Sequence, residues 1–133
     1  MLARREHSRA ELARKLADDA TPEDLQAVLD HLERSGLLSD ARFAESFVSS
    51  RATRVGNARL RYDLRAKGIA DDLIAAALPA ETDSETSRAR EVWQRKFGVA
   101  PTDRADYARQ ARFLQSRGFA VDIIRKVLKE QEE

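Results

Sequence analysis

Apolar positions recur at helical spacing wherever the chain can be read. Leu25, Val28, Leu29 and Leu32 fall at i, i+3, i+4 and i+7, and Tyr107, Ala111 and Leu114 at i, i+4 and i+7. Phe43 pairs with Phe47, Trp93 with Phe97, and Ile123-Ile124 with Val127-Leu128, each on one helical face. No apolar–polar alternation is long enough for a strand. The breakers agree, because Gly36, Gly56, Gly68, Gly98 and Gly118 each fall where one helix should end before the next. Thr21 can cap a helix that opens at Pro22, with Asp24 in its first turn. Ser8 with Glu11, and Thr82 with Glu85, have the spacing of a capping box. The pattern predicts helices over 8–19, 22–35, 40–54, 57–67, 71–78, 84–97, 104–117 and 120–131. The fold class is all-α.

Shifting the chain against itself by fifty residues aligns Phe43 with Trp93, Phe47 with Phe97 and Leu64 with Leu114. The same shift aligns Gly68 with Gly118, Ile69 with Phe119, Asp72 with Asp122, Leu73 with Ile123 and Leu78 with Leu128. A shift of 48 superposes the first part less fully: Leu12 on Leu60, Leu16 on Leu64, Asp24 on Asp72 and Leu25 on Leu73. The repeat is a helix A, a helix B, a Gly turn and a helix C. A three-helix unit of this size cannot bury its apolar face alone, so tandem units should stack into an elongated, curved, right-handed or solenoid-like array. The expected divisions are 1–36, with helix A truncated to LARREH, then 37–80 and 81–133.

Composition changes the picture little. Charged residues make up 35% and hydrophobic ones 42%, so thin helix-to-helix contacts are expected rather than one deep core. There is no Cys, which excludes disulfide and thiolate chemistry. The longest apolar run, Leu73 to Leu78, is far short of a membrane span, and the opening MLARREHSR is charged where a signal peptide needs apolar residues. A cytoplasmic protein is expected. His7 and His31 are the only histidines, with no metal-ligand spacing, and read as surface or half-buried polar residues. Asp71-Asp72 sits at a helix start, where the dipole favours acids, whereas Asp18-Asp19 at a helix end has no such explanation. GxxxxGK[ST], GxSxG and GxGxxG are all missing, so neither catalysis nor a cofactor or metal is expected.

Net charge is only +1, but the bases are clustered. Arg51, Arg54, Arg59, Arg61, Arg65 and Lys67 stand against Asp63 alone. Arg104, Arg109, Arg112, Arg117, Arg125, Lys126 and Lys129 stand against Asp106 and Asp122. A solvated helix face accounts for any single Arg, while the two clusters together favour a polyanionic or acidic partner. Candidate partner- or phosphate-facing residues are Arg51, Arg54, Arg61, Arg65, Lys67, Arg109, Arg112, Arg117, Arg125 and Lys126. A helix-turn-helix that reads bases is excluded for 71–78, which opens with two acids and carries no base. Helix 120–131 could touch phosphates, which gives affinity without sequence choice.

The run REHSRAELARKL (5–16) resembles the opening signature of the RecX family, and GLLSDARFAESFV (36–48) resembles its most distinctive stretch. LRAKGI (64–69) and FLQSRGF (113–119) are similar to that family's later turns. The resemblance spans nearly the whole chain, and it lacks the usual helix before LARREHSR. It implies tandem three-helix repeats and a monomer. It further implies a non-enzymatic regulator that binds the RecA filament on single-stranded DNA with ATP. Such a regulator inhibits RecA ATPase, strand exchange and recombination, within DNA repair and the SOS response. The alternative is a sequence-independent nucleic-acid-binding helical module. The family supplies no settled site residues to carry over.

Overall fold

The computed structural model describes residues 6–79 and 82–132, and all regular structure among them is helical. The helices are α1 (Arg9–Leu16), α2 (Pro22–Arg34), α3 (Asp40–Arg51), α4 (Asn57–Ala66), α5 (Asp71–Ala77), α6 (Thr82–Lys96), α7 (Arg104–Ser116) and α8 (Val121–Glu132). Most of helix A expected over 2–7 lies outside the described residues, as does Glu81.

Local chemistry sets the helix starts. Thr21 accepts from the Asp24 backbone N–H and Pro22 opens α2, as the spacing predicts. Ser8 accepts from the Glu11 N–H, as the capping-box spacing predicts, and the Glu11 carboxylate also pairs with Lys67 at 3.1 Å. The second predicted box is replaced by another arrangement. Helix α6 already includes Thr82, and Glu85 Oε1 accepts from the Asn57 backbone N–H at 3.2 Å. Asp103 caps α7 by accepting from Asp106. Helix α1 ends three residues earlier than its pattern predicts, which leaves Asp18-Asp19 in the turn beyond it rather than on its last turn. His7 is buried, not on the surface, and its Nε2 lies 3.1 Å from Lys15 Nζ. An ammonium can only donate, so that ring nitrogen carries the lone pair.

The chain folds as two compact units, Met1–Val48 with Asp63–Ala77 and Ser49–Tyr62 with Leu78–Glu133. In the first, α1 packs on α2 around Leu12, Leu29 and Leu38, with Leu16, Leu25 and Leu32 against them. Phe43 and Phe47 are buried with ring centroids 5.9 Å apart. In the second, α6, α7 and α8 pack mutually around Trp93, Leu114, Phe119, Ile123, Ile124, Val127 and Leu128. Trp93 and Phe97 face the same core, as their spacing predicts; Phe97 also meets Phe113 edge-on at 5.4 Å, and the Trp93 indole N–H donates to buried Gln110 at 2.7 Å.

The same Gly corner occurs at Gly68 in the first unit and at Gly118 in the second. Gly68 N–H donates to Arg65 O and Ile69 N–H to Leu64 O; Gly118 N–H donates to Gln115 O and Phe119 N–H to Leu114 O. Both glycines have positive φ, 81° and 86°, the conformation that closes a helix C-terminus with least strain in glycine. Onto each corner a helix N-terminus is seated. Ser8 Oγ donates to Lys67 O at 2.8 Å, and a Cβ on Gly68 would lie 2.5 Å from Ala10 Cβ. Gly56 N–H donates to Arg117 O at 2.7 Å and Ala58 N–H to Gly118 O at 3.1 Å. Gly56 therefore serves close approach, since a Cβ there would meet Gly118 O at 2.5 Å, and it does not end a helix in the left-handed form.

Candidate functional site

Within the second unit a cleft of about 270 Å³ is lined by Arg54, Val92, Arg95, Lys96, Phe113 and Arg117. Its cations come from three helix ends. Arg54 follows α3, Arg95 and Lys96 form the last turn of α6, and Arg117 caps α7. Helix C-termini carry partial negative charge, which explains why cations gather here without carboxylate partners. Among the described residues no acid lines the cleft.

Its side chains are held in place before any partner arrives. Arg95 Nη2 donates to Thr53 O at 2.6 Å and Arg54 Nη2 to Ser50 O at 3.2 Å. Arg117 and Lys96 stand over the Phe113 ring at 5.1 and 5.4 Å, and Arg109 over Phe97 at 5.1 Å. Cation–ring contacts of this kind are worth about 0.5–1 kcal/mol at exposed positions. In the same unit Arg88 donates to Ala52 O and Val55 O, both at 2.8 Å, and to Asn57 Oδ1 at 2.9 Å. Burial pulls the Arg88 pKa down, with Glu85 opposing, and its donors are taken up by two backbone carbonyls and the Asn57 side chain, so it fixes the α3–α4 connection.

Of the candidates read from sequence, Arg54 and Arg117 meet in this cleft, drawn from different clusters. Arg95 and Lys96 were missed, because two bases in a helix's last turn are ordinary dipole complements. Arg51, Arg61, Arg112, Arg125 and Lys126 are exposed. Arg65 reaches Asp71 at 3.1 Å, Lys67 is half-buried against Glu11, and Arg109 pairs with Asp106 at 2.6 Å. The Arg109 hydrogen bond, then that of the Thr102 N–H, holds the Asp106 carboxyl below its ordinary range. Among the described residues no His, Cys, Asp and Glu group could hold a metal, and no helix is long and apolar enough to cross a membrane.

Residues 39–78 match the family model for the second three-helix domain of RecX, and residues 83–128 match that for the third. The chain is 53% identical to regulatory protein RecX of Leptothrix cholodnii over 129 residues, 96% of this chain and 82% of that one. It is 47% identical to regulatory protein RecX of Herminiimonas arsenicoxydans, over 99% of this chain and 88% of that one. In fold it is similar to the crystal structure of RecX from Lactobacillus salivarius, with a TM-score of 0.82 at 23% identity, covering 98% of this chain and 89% of that chain. With two family models spanning most of its length and relatives this similar, the chain belongs to the RecX family.

Proposed function

We propose that this chain is a regulator that binds the RecA nucleoprotein filament and restrains its ATP hydrolysis, strand exchange and recombination. The observation that carries the reading is a preorganised cleft of four cations with no acid among its described lining residues, on a chain of the RecX family. Three repeats divided at 1–36, 37–80 and 81–133, a monomeric state, no cofactor and a cytoplasmic setting in DNA repair and the SOS response belong to the same proposal. Arg51, Arg61, Arg65, Lys67, Arg109, Arg112, Arg125 and Lys126 belong to it as further candidate partner-facing residues.

Adding the protein to RecA on single-stranded DNA should lower steady-state ATP turnover at stoichiometric or smaller ratios. Unchanged turnover at every salt concentration would remove the reading. Arg61→Glu with Arg65→Glu should weaken the effect and leave the fold intact, since both residues are exposed and the Arg65–Asp71 pair is worth no more than about 1 kcal/mol. The second reading, a nucleic-acid-binding module acting without RecA, is favoured by the same cleft. It requires comparable affinity for bare DNA and filament, with steep loss of both in salt.

A further inference from the structure

Tyr62, on the solvent side of α4, is 71% exposed, more than the other exposed large hydrophobic residues among those described. A single exposed aromatic needs no explanation by itself. Its surroundings here are specific. Arg59 lies one turn before it and Arg61 beside it, both exposed. Arg59 is tied to the cleft, because its backbone and Cβ press on Gly118 while the neighbouring Ala58 N–H donates to Gly118 O at 3.1 Å. The Gly56 N–H donates to Arg117 O at 2.7 Å, which seats the start of α4 on the backbone of this cleft residue, and from Arg59 to Tyr62 is one helical turn of about 5 Å.

We propose that the cleft and Tyr62 form one binding site for single-stranded nucleic acid, with backbone phosphates among Arg54, Arg95, Lys96 and Arg117 and a base stacked on Tyr62. This inference rests on the reading above, that the chain meets a DNA-bearing assembly through its cations. Phe113 cannot be the stacking ring, since Lys96 and Arg117 stand over it and Phe97 meets it edge-on. Tyr62 is the aromatic surface left open beside the cationic path. Basic grooves interleaved with exposed aromatics bind single strands with little sequence preference, because every base has a π-face. A duplex keeps its bases stacked on one another and gains only the cations. An acidic peptide likewise satisfies the cations without needing the ring.

The test measures fluorescence anisotropy of a labelled oligothymidylate, a labelled duplex of equal length, and the oligothymidylate in competition with polyglutamate, using the whole chain. Tyr62→Ala should weaken the single strand at least about fivefold and leave the duplex little changed, while Tyr62→Phe retains binding. Arg95→Ala with Lys96→Ala should weaken both and lower the single-strand salt slope by about 1.4, at about 0.7 per phosphate contact. No effect of Tyr62→Ala, an equal effect on strand and duplex, or displacement by polyglutamate at matched charge would overturn the site, the last in favour of an acidic protein partner. RecA ATP turnover, read in parallel, separates the two proposals. A chain that suppresses turnover but does not bind the oligonucleotide overturns only this inference. A chain that binds through Tyr62 without suppressing turnover supports the site and removes the regulator.

Discussion

Gly118→Ala and Gly36→Ala place the same methyl group on the same kind of backbone, and the structure assigns them different costs. Both glycines have positive φ, 86° and 79°. A Cβ in that region costs about 1–2 kcal/mol by itself. At Gly36 nothing lies within 4 Å of the added atom, so that conformational cost is the whole effect. At Gly118 the Cβ would meet Arg59 Cβ at 2.2 Å, its backbone N at 2.5 Å and its Cα at 2.8 Å. Backbone cannot rotate aside, so the start of α4 must retreat from the corner. The hydrogen bonds from Gly56 to Arg117 and from Ala58 to Gly118 then lengthen or break. Two such bonds are worth about 0.5–1.5 kcal/mol each, which brings Gly118→Ala to about 2–5 kcal/mol. Urea denaturation followed by circular dichroism, with Trp93 fluorescence as a second probe, measures both variants against the parent. Equal losses for the two would refute the close approach of α4 to the α7–α8 corner. Gly68→Ala should resemble Gly118→Ala less than fully, because its neighbour is the Ala10 side chain at 2.5 Å and not backbone.

Phe43→Ala and Trp93→Ala should each cost about 3–5 kcal/mol in the same titration, and near-neutral values in both would undo their equivalence as core anchors. Gln110→Ala removes the acceptor of the buried Trp93 indole N–H and should cost about 1–3 kcal/mol, with a shift in tryptophan emission; an unchanged spectrum and midpoint would show that the bond is not formed. Arg90 donates twice to Glu130 at 2.9 Å and holds that carboxyl below its ordinary value of 4.5. A carboxyl with a lowered folded pKa favours the fold fully above the ordinary value and loses that contribution as pH falls through the folded value. Glu130→Gln should therefore flatten the decline in stability below pH 4.5, and a decline of the same steepness would exclude the pair as a contributor.

The cationic site was legible only in halves. Arg54 and Arg117 stand out in sequence because each sits in a run of bases with few acids. Arg95 and Lys96 do not, since VWQRKFG reads as an ordinary helix end. Nothing in the order of residues says that the ends of α3, α6 and α7 converge. Lys67 shows the opposite case. In sequence it is one more base in a cluster, yet the fold brings it to Glu11, fifty-six residues away along the chain. Tyr62 gave no signal, because an exposed tyrosine and a core tyrosine look alike in a helical pattern.

Helix content, most helix ends and the correspondence of the Gly68 and Gly118 corners were determined by residue order alone. These features depend on periodicity, caps and φ, which act over a few neighbouring residues. Which N-terminus sits on which corner, and which bases share a cleft, was decided only by tertiary structure. Glycine licenses the turn locally, but the absence of its side chain has a second use visible only when Ala10 or Arg59 arrives from a distant helix. Charge behaves likewise: a base has a fixed sign in the sequence, while its availability depends on whether folding brings an acid, a ring or open water beside it.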